Sequence, residues 1–109
     1  MADAATSSND SNELDEIMGR LQSHKGVEGI LILNKEGQTI QSTLSEEQTL
    51  THGGRIGKLA SGATSLIESL DETDELTFLR IKSKHREILV SPDKSGYLLV
   101  VIQNPNTSE

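Results

Sequence analysis

The residues of this chain that could take part in chemistry are few and scattered. There are three histidines and no cysteine. His24, His52 and His85 lie far apart, and none has the His-Glu-x-x-His spacing that places two ligands on one helix face. Without cysteine, disulfides and thiolate metal sites are excluded. We therefore predict neither a metal site nor a cofactor.

The segment from Gly53 to Ser61 comes nearest to a nucleotide-binding motif. Its Gly57-Lys58 pair fits the end of a phosphate loop, but Leu59 stands where a Ser or Thr would bind Mg²⁺. No serine lies in a Gly-x-Ser-x-Gly turn, and the acids from Asp71 to Glu75 lie in a polar segment typical of a solvated loop. We therefore predict a protein that is not an enzyme.

Composition narrows the classes of partner. The net charge of −7 argues against non-specific binding to nucleic acid, which requires lysine and arginine to displace counterions. No apolar run approaches the roughly 20 residues needed to span a bilayer, and the polar N-terminus does not resemble a signal peptide. Phe78 and Tyr97 are the only aromatic residues, so the core is thin and favours burial against a protein partner.

The predicted elements begin after a disordered tail over residues 1–12. A domain follows over residues 13–105, and residues 106–109 form a short C-terminal tail. The first helix is capped by Asn12, carries an apolar face at i, i+3, i+4 and i+7, and stops at Gly26. The later elements are strands over Val27–Leu33 and Gln38–Leu44, a helix over Thr49–Leu70, and strands over Leu76–Ser83, Glu87–Ser91 and Tyr97–Gln103.

This order predicts an α/β (α+β) fold, with a five-stranded antiparallel sheet and one helix on each face, in the order α-β-β-α-β-β-β. The continuous apolar runs Ile30–Leu33 and Tyr97–Ile102 should be central strands, because both of their faces require cover. Gln38–Leu44 and Leu76–Lys82 carry more polar residues and should lie outside them.

The second helix has an apolar stripe with small residues along one border. The stripe comprises Ile56, Leu59, Ala60, Ala63, Leu66, Ile67 and Leu70, and the border comprises Gly53, Gly57 and Thr64. Two interpretations stay open. Either the small residues admit another helix at close range, or the helix begins only after Gly57 and the glycines belong to a loop.

The strand from Leu76 to Lys82 has large apolar groups on both faces, although it should be an outer strand. Such an edge invites pairing with another chain, and Phe78 would otherwise be poorly covered. Alternatively, Arg80 and Lys82 block that pairing. The neighbouring basic cluster is either a contact for an acidic partner segment or, as we favour, a solvated turn; it comprises Lys82, Lys84, His85 and Arg86.

Several segments resemble the roadblock-type dynein light chains. They are Leu76-Thr77-Phe78-Leu79-Arg80-Ile81, Ser91-Pro92-Asp93-Lys94, Ile102-Gln103-Asn104-Pro105, Gly26-Val27-Glu28-Gly29-Ile30 and Asn34-Lys35-Glu36-Gly37. The resemblance extends from about Leu14 to Pro105. It is most specific at the C-terminal end and loosest over His52 to Ser65.

This resemblance implies a two-fold dimer in which second helices pack together and third strands pair into a continuous sheet. The implied interface comprises Ile56, Gly57, Leu59, Ala60, Ala63, Thr64, Leu76, Phe78 and Arg80.

The resemblance further implies a non-catalytic dynein light chain that binds dynein intermediate chain. The implied location is the cytoplasm and cytoskeleton, with a ciliary or flagellar axoneme as the other possibility. The glycines of the second helix leave open a heterodimer with a sister light chain. The fold is also similar to subunits that regulate small GTPases, which is the alternative function.

Overall fold

A computed structural model describes residues 16–104; the predicted tails and the start of the first helix lie outside the described residues. Residues 16–22 are helical and are called α1. The further elements are β1 Val27–Leu33, β2 Thr39–Ser42, α2 Glu46–Leu70, β3 Leu79–Lys82, β4 Glu87–Pro92 and β5 Leu98–Gln103. The predicted order α-β-β-α-β-β-β is confirmed.

The five strands form one antiparallel sheet in the order β2-β1-β5-β4-β3. The two apolar runs predicted to be central are β1 and β5, and the more polar strands β2 and β3 form the edges. This placement follows from burial, because β1 and β5 supply most of the fully buried side chains.

Alternate residues of β1 belong to two hydrophobic clusters on opposite faces of the sheet. Leu31 and Leu33 pack in a cluster with Ile56 and Ala60 of α2. Ile30 and Ile32 pack with Met18 of α1 in a second cluster. Because side chains alternate across a strand, the two helices lie on opposite faces of the sheet, as predicted.

The helix α2 begins at Glu46 rather than at the predicted Thr49, and the interpretation that it begins after Gly57 is wrong. Ser45 caps it, since its hydroxyl accepts a hydrogen bond from the backbone N–H of Gln48 at 3.2 Å. Gly57 lies where the helix passes close to the β1–β2 turn. A Cβ added at Gly57 would lie 3.1 Å from the Cα of Gly37.

The strand β3 is shorter than predicted, and residues 76–78 lie outside it. Leu79 pairs with Val90 on β4. Continuing this register would place Thr77 opposite Pro92, which has no N–H to donate to a ladder. The regular pairing therefore stops before the N-terminal half of the predicted strand.

Candidate functional site

One side of α2 carries an apolar stripe that the chain's own sheet does not cover. Leu59, Leu66 and Leu70 are 48%, 57% and 75% exposed, and Ala63 between them is half-buried. Their spacing of four, three and four residues is that of a seam between two packed helices. We call Leu59, Ala63, Leu66 and Leu70 the apolar flank of α2.

Three of the α2 residues predicted at a dimer interface are buried within the chain itself. Ile56 and Ala60 belong to the core cluster beneath α2, and Gly57 lies against the β1–β2 turn. The most exposed apolar surface of α2 is therefore the apolar flank, and contact of these three residues with a partner stays a prediction. Thr64 is half-buried and lines a small cleft beside α2.

Sequence reasoning did not place Leu66 and Leu70 at the interface, although it included both in the apolar stripe. The width of the stripe to which these residues belong already indicated that some of its members are exposed. A single sheet covers only part of a stripe about 120° wide, so residues at one margin must remain exposed. Leu59 is the one predicted α2 interface residue that is both large and exposed.

The second part of the candidate site is the free edge of β3. This strand pairs with β4 on one side, and its other edge has no partner among residues 16–104. Phe78, immediately before the strand, is 50% exposed, and Leu76 is half-buried. The opposite edge strand, β2, has a register shift where it pairs with β1, and such irregularity disfavours edge-to-edge pairing. The edge of β3 is regular and therefore better suited to pairing.

A polar network fixes the side chain of Arg80. Arg80 donates to Glu87 on β4 and forms an ion pair with it, and Gln103 on β5 donates to the same carboxylate at 2.6 Å. Glu87 is only 3% exposed. The pKa of Glu87 lies below its ordinary value, chiefly because of the Gln103 hydrogen bond, with Arg80 acting in the same direction and burial opposing both. Since Arg80 is neutralised within the chain, it is a weak barrier to strand pairing.

The Gly57-Lys58 pair lies in the interior of α2, so it does not form a phosphate loop. The backbone N–H groups of a helix interior are already bonded to carbonyl groups of the preceding turn and cannot surround a phosphate. Among residues 16–104, no group of three or more His, Asp or Glu side chains could hold a metal ion.

The acids that follow α2 belong to a turn. Asp71 accepts hydrogen bonds from the backbone N–H and the hydroxyl of Thr73 at 3.0 and 2.7 Å, and these bonds lower the pKa of Asp71. A carboxylate held ionised in an exposed turn is poorly suited to general acid–base catalysis. No helix in the described part of the chain is long and apolar enough to cross a membrane.

Comparison with known proteins supplies the family. The model of the Roadblock/LC7 domain matches residues 13–103. The fold resembles the crystal structure of a Roadblock/LC7 domain from Streptomyces avermitilis, with a TM-score of 0.77, 17% identity, and coverage of 85% of this chain and 79% of that one.

Two further structures are similar in fold. The gliding protein MglB from Thermus thermophilus has a TM-score of 0.71 at 13% identity, covering 84% of this chain and 71% of that one. Myxococcus xanthus MglB has a TM-score of 0.70 at 20% identity, covering 82% and 68%. The family match extends over most of the sequence, and the observed order of helices and strands agrees with these structures. The chain therefore belongs to the Roadblock/LC7 domain family.

Proposed function

We propose that this protein is a non-catalytic light chain of a dynein motor complex, which dimerises and binds dynein intermediate chain. The observation that carries this proposal is the position in the fold of one segment from the more specific, C-terminal part of the resemblance. Leu76–Ile81 resembles the roadblock-type dynein light chains, and it comprises the exposed Phe78 and the start of the free edge strand. A segment that is both characteristic in sequence and unpaired along one edge within residues 16–104 is best explained by contact with another protein.

The dimer of this proposal uses the edge of β3 together with the apolar flank of α2. Pairing two β3 strands would join the sheets of both protomers, and the ladder would satisfy backbone groups that face solvent in one chain. Two flanks in contact would remove Leu59, Leu66 and Leu70 from water. Strand pairing and burial of the apolar flank are both structural contacts and involve no catalysis. This agrees with a family that consists generally of light chains and regulators.

The proposed location is the cytoplasm and its cytoskeleton, with the ciliary or flagellar axoneme as the second setting. Purification of the native complex, followed by identification of its heavy chains, distinguishes transport dynein from axonemal dynein. The same preparation shows whether the dimer partner is a second copy of this chain or a sister light chain.

The direct test is affinity capture with the tagged full-length protein, with dynein intermediate chain quantified by mass spectrometry. We expect the intermediate chain to be recovered by the wild-type protein and to be strongly reduced with Phe78→Asp, which places a charge at the dimer seam. Leu50→Asp is the matched control, since Leu50 is 75% exposed and lies outside the proposed interface. Wild-type capture without intermediate chain would contradict the proposal.

The second candidate is a regulator of a small GTPase. The support for it is the fold, which this chain shares with the MglB structures, although at 13–20% identity the likeness concerns fold alone. Stimulation of GTP hydrolysis or nucleotide exchange in a GTPase captured with the protein would favour this candidate over the dynein light chain.

A further inference from the structure

A buried carboxylate lies one strand behind the free edge of β3. Glu87 of β4 is opposite Lys82 of β3 on one side and Gln103 of β5 on the other, so the three residues form one row across the sheet. Glu87 is buried although it carries a charge. A buried charge is stable only where it is paired and hydrogen-bonded. Its partners therefore indicate what the carboxylate does.

Both oxygens of the Glu87 carboxylate are occupied. Arg80 binds Oε2 through its Nε and Nη2 atoms, and Gln103 donates a hydrogen bond to Oε1 at 2.6 Å. The guanidinium of Arg80 is thereby drawn from the edge of β3 toward β4. Lys82 is exposed, and no carboxylate is paired with it in the described part of the chain. The edge strand thus carries two cations, with one carboxylate behind them.

Two-fold pairing of β3 brings these cations close to those of a second copy. In the proposed dimer both α2 helices lie on the same side of the joined sheet, and residues directly opposite each other in an antiparallel pair share a face. Leu79 packs against the cluster beneath α2, so Arg80 and Lys82 lie on the other face. Arg80 must therefore lie opposite an even-numbered residue of the second copy.

The length of β3 narrows the register further. The strand comprises four residues, Leu79–Lys82. A two-fold axis at Arg80 or at Ile81 pairs three residues of the strand with its mate, whereas an axis at either end pairs one. With the axis at Arg80, the two Arg80 residues are opposite each other. With the axis at Ile81, each Arg80 is opposite Lys82. Both registers place cation opposite cation, and like charges in that position destabilise a sheet.

We propose that Glu87 is the counter-charge that allows the edge of β3 to pair with a second copy of this chain. The inference rests on the dimer of the proposed function and names a residue, one strand behind the interface, that controls it. Each protomer supplies a carboxylate behind its own edge, so two copies compensate their own cations. Gln103 is a positioning residue, because its hydrogen bond holds the carboxylate in place. A strand with cations but no such carboxylate would meet repulsion at this edge.

The experiment measures the dimer dissociation constant of the full chain by sedimentation equilibrium at low and at high salt. The test variant is Glu87→Gln, which keeps the shape of the side chain and removes its charge. Glu28→Gln is the matched control, since Glu28 also forms an ion pair, with Arg86 at 3.8 Å, but lies on β1. Thermal melting of each variant establishes that it is folded.

We expect Glu87→Gln to raise the dimer dissociation constant at least about tenfold at low salt, and Glu28→Gln to stay within about twofold of wild type. High salt should reverse much of the loss in Glu87→Gln relative to wild type, because it screens repulsion between exposed cations. A carboxylate with a purely structural role would give a loss that salt does not reverse. Such a loss, or equal dissociation constants for wild type and Glu87→Gln, would overturn the proposal.

A double variant tests the charge balance directly. Arg80→Gln combined with Glu87→Gln removes the cation and the carboxylate together, so it leaves no buried charge unpaired. We expect this variant to dimerise within about threefold of wild type, because the two substitutions compensate each other. A dissociation constant at least about tenfold above that of wild type would overturn the proposal, whether or not the single variant Glu87→Gln folds.

Failure of this inference is distinguishable from failure of the proposed function. A wild-type chain that stays monomeric at micromolar concentration removes the dimer and this inference with it. A wild-type chain that dimerises but recovers no intermediate chain contradicts the proposed function and leaves the role of Glu87 in place. A wild-type dimer that Glu87→Gln does not weaken refutes the inference alone.

Discussion

Replacing Phe78 with alanine tests the dimer most directly. Phe78 is 50% exposed in the single chain. An aromatic side chain buries about 150–250 Å² in full, so dimerisation could remove about 100 Å² of it from water. At about 25 cal/mol per Å², this corresponds to about 2.5 kcal/mol per protomer. Phe78 occurs twice in a two-fold dimer, which doubles this contribution, and the Cβ that alanine retains reduces it slightly. The expected loss of dimerisation free energy is therefore about 4 kcal/mol. This is an upper estimate, because contact at the seam is incomplete.

A loss of about 4 kcal/mol raises the dimer dissociation constant by about a thousandfold. Sedimentation equilibrium over a dilution series measures this constant for wild type and Phe78→Ala. Tyr97→Ala is the matched control, since Tyr97 is an aromatic residue of similar exposure, 43%, outside the proposed interface. Unchanged dissociation constants for Phe78→Ala, or equal effects of both substitutions, would refute the role of Phe78 at the seam. A wild-type monomer at micromolar concentration would refute the homodimer itself.

Three further predictions concern the fold. Gly54→Ala should raise the free energy of unfolding by about 0.5–1 kcal/mol in denaturant titrations, because a Cβ there meets no atom within 4 Å. The control, Gly57→Ala, should give a smaller gain or none, since its Cβ would lie 3.1 Å from a backbone carbon of the β1–β2 turn. Ser45→Ala should cost about 1 kcal/mol in the same titration by removing the cap of α2, and a loss below about 0.3 kcal/mol would contradict that role. Because the folded-state pKa of Glu87 is lowered, its stabilising contribution is full above its ordinary pKa of 4.5 and is lost as the pH falls through the folded-state pKa. Glu87→Gln should therefore weaken the dependence of unfolding free energy on pH below 4.5. An unchanged dependence in this pH range would argue against a stabilising role of the Glu87 carboxylate.

The order of elements and the central strands were predictable because β1 and β5 are nearly continuous apolar runs. Such runs require cover on both faces, and the two helices supply it. The residue at which α2 begins was harder to predict from the sequence. Two interpretations of its glycines competed until the contact between Gly57 and the β1–β2 turn was known. That contact joins residues distant in sequence, and no local pattern reveals it.

The candidate site was predicted in part. The exposure of Phe78 and the outer position of the strand that follows it were predictable from the sequence, because a large aromatic residue beside an outer strand lacks cover within one chain. The division of α2 into a buried face and an exposed flank did not follow, since Ile56 and Leu59 belong to the same apolar stripe. Their separation depends on the angle at which the helix crosses the sheet. The role of Glu87 also required the fold, which brings Arg80 and Gln103 to the same carboxylate from two other strands.

The proposed dimer makes a further prediction about the binding of its partner. The apolar flank and the β3 edge would hold two protomers together. An intermediate-chain segment that contacts both protomers binds the dimer more tightly than the monomer, and linkage requires it to strengthen the dimer by the same factor. Saturating intermediate chain should therefore lower the dimer dissociation constant of the wild-type protein in sedimentation, whereas an unchanged constant would mean that the partner contacts one protomer alone.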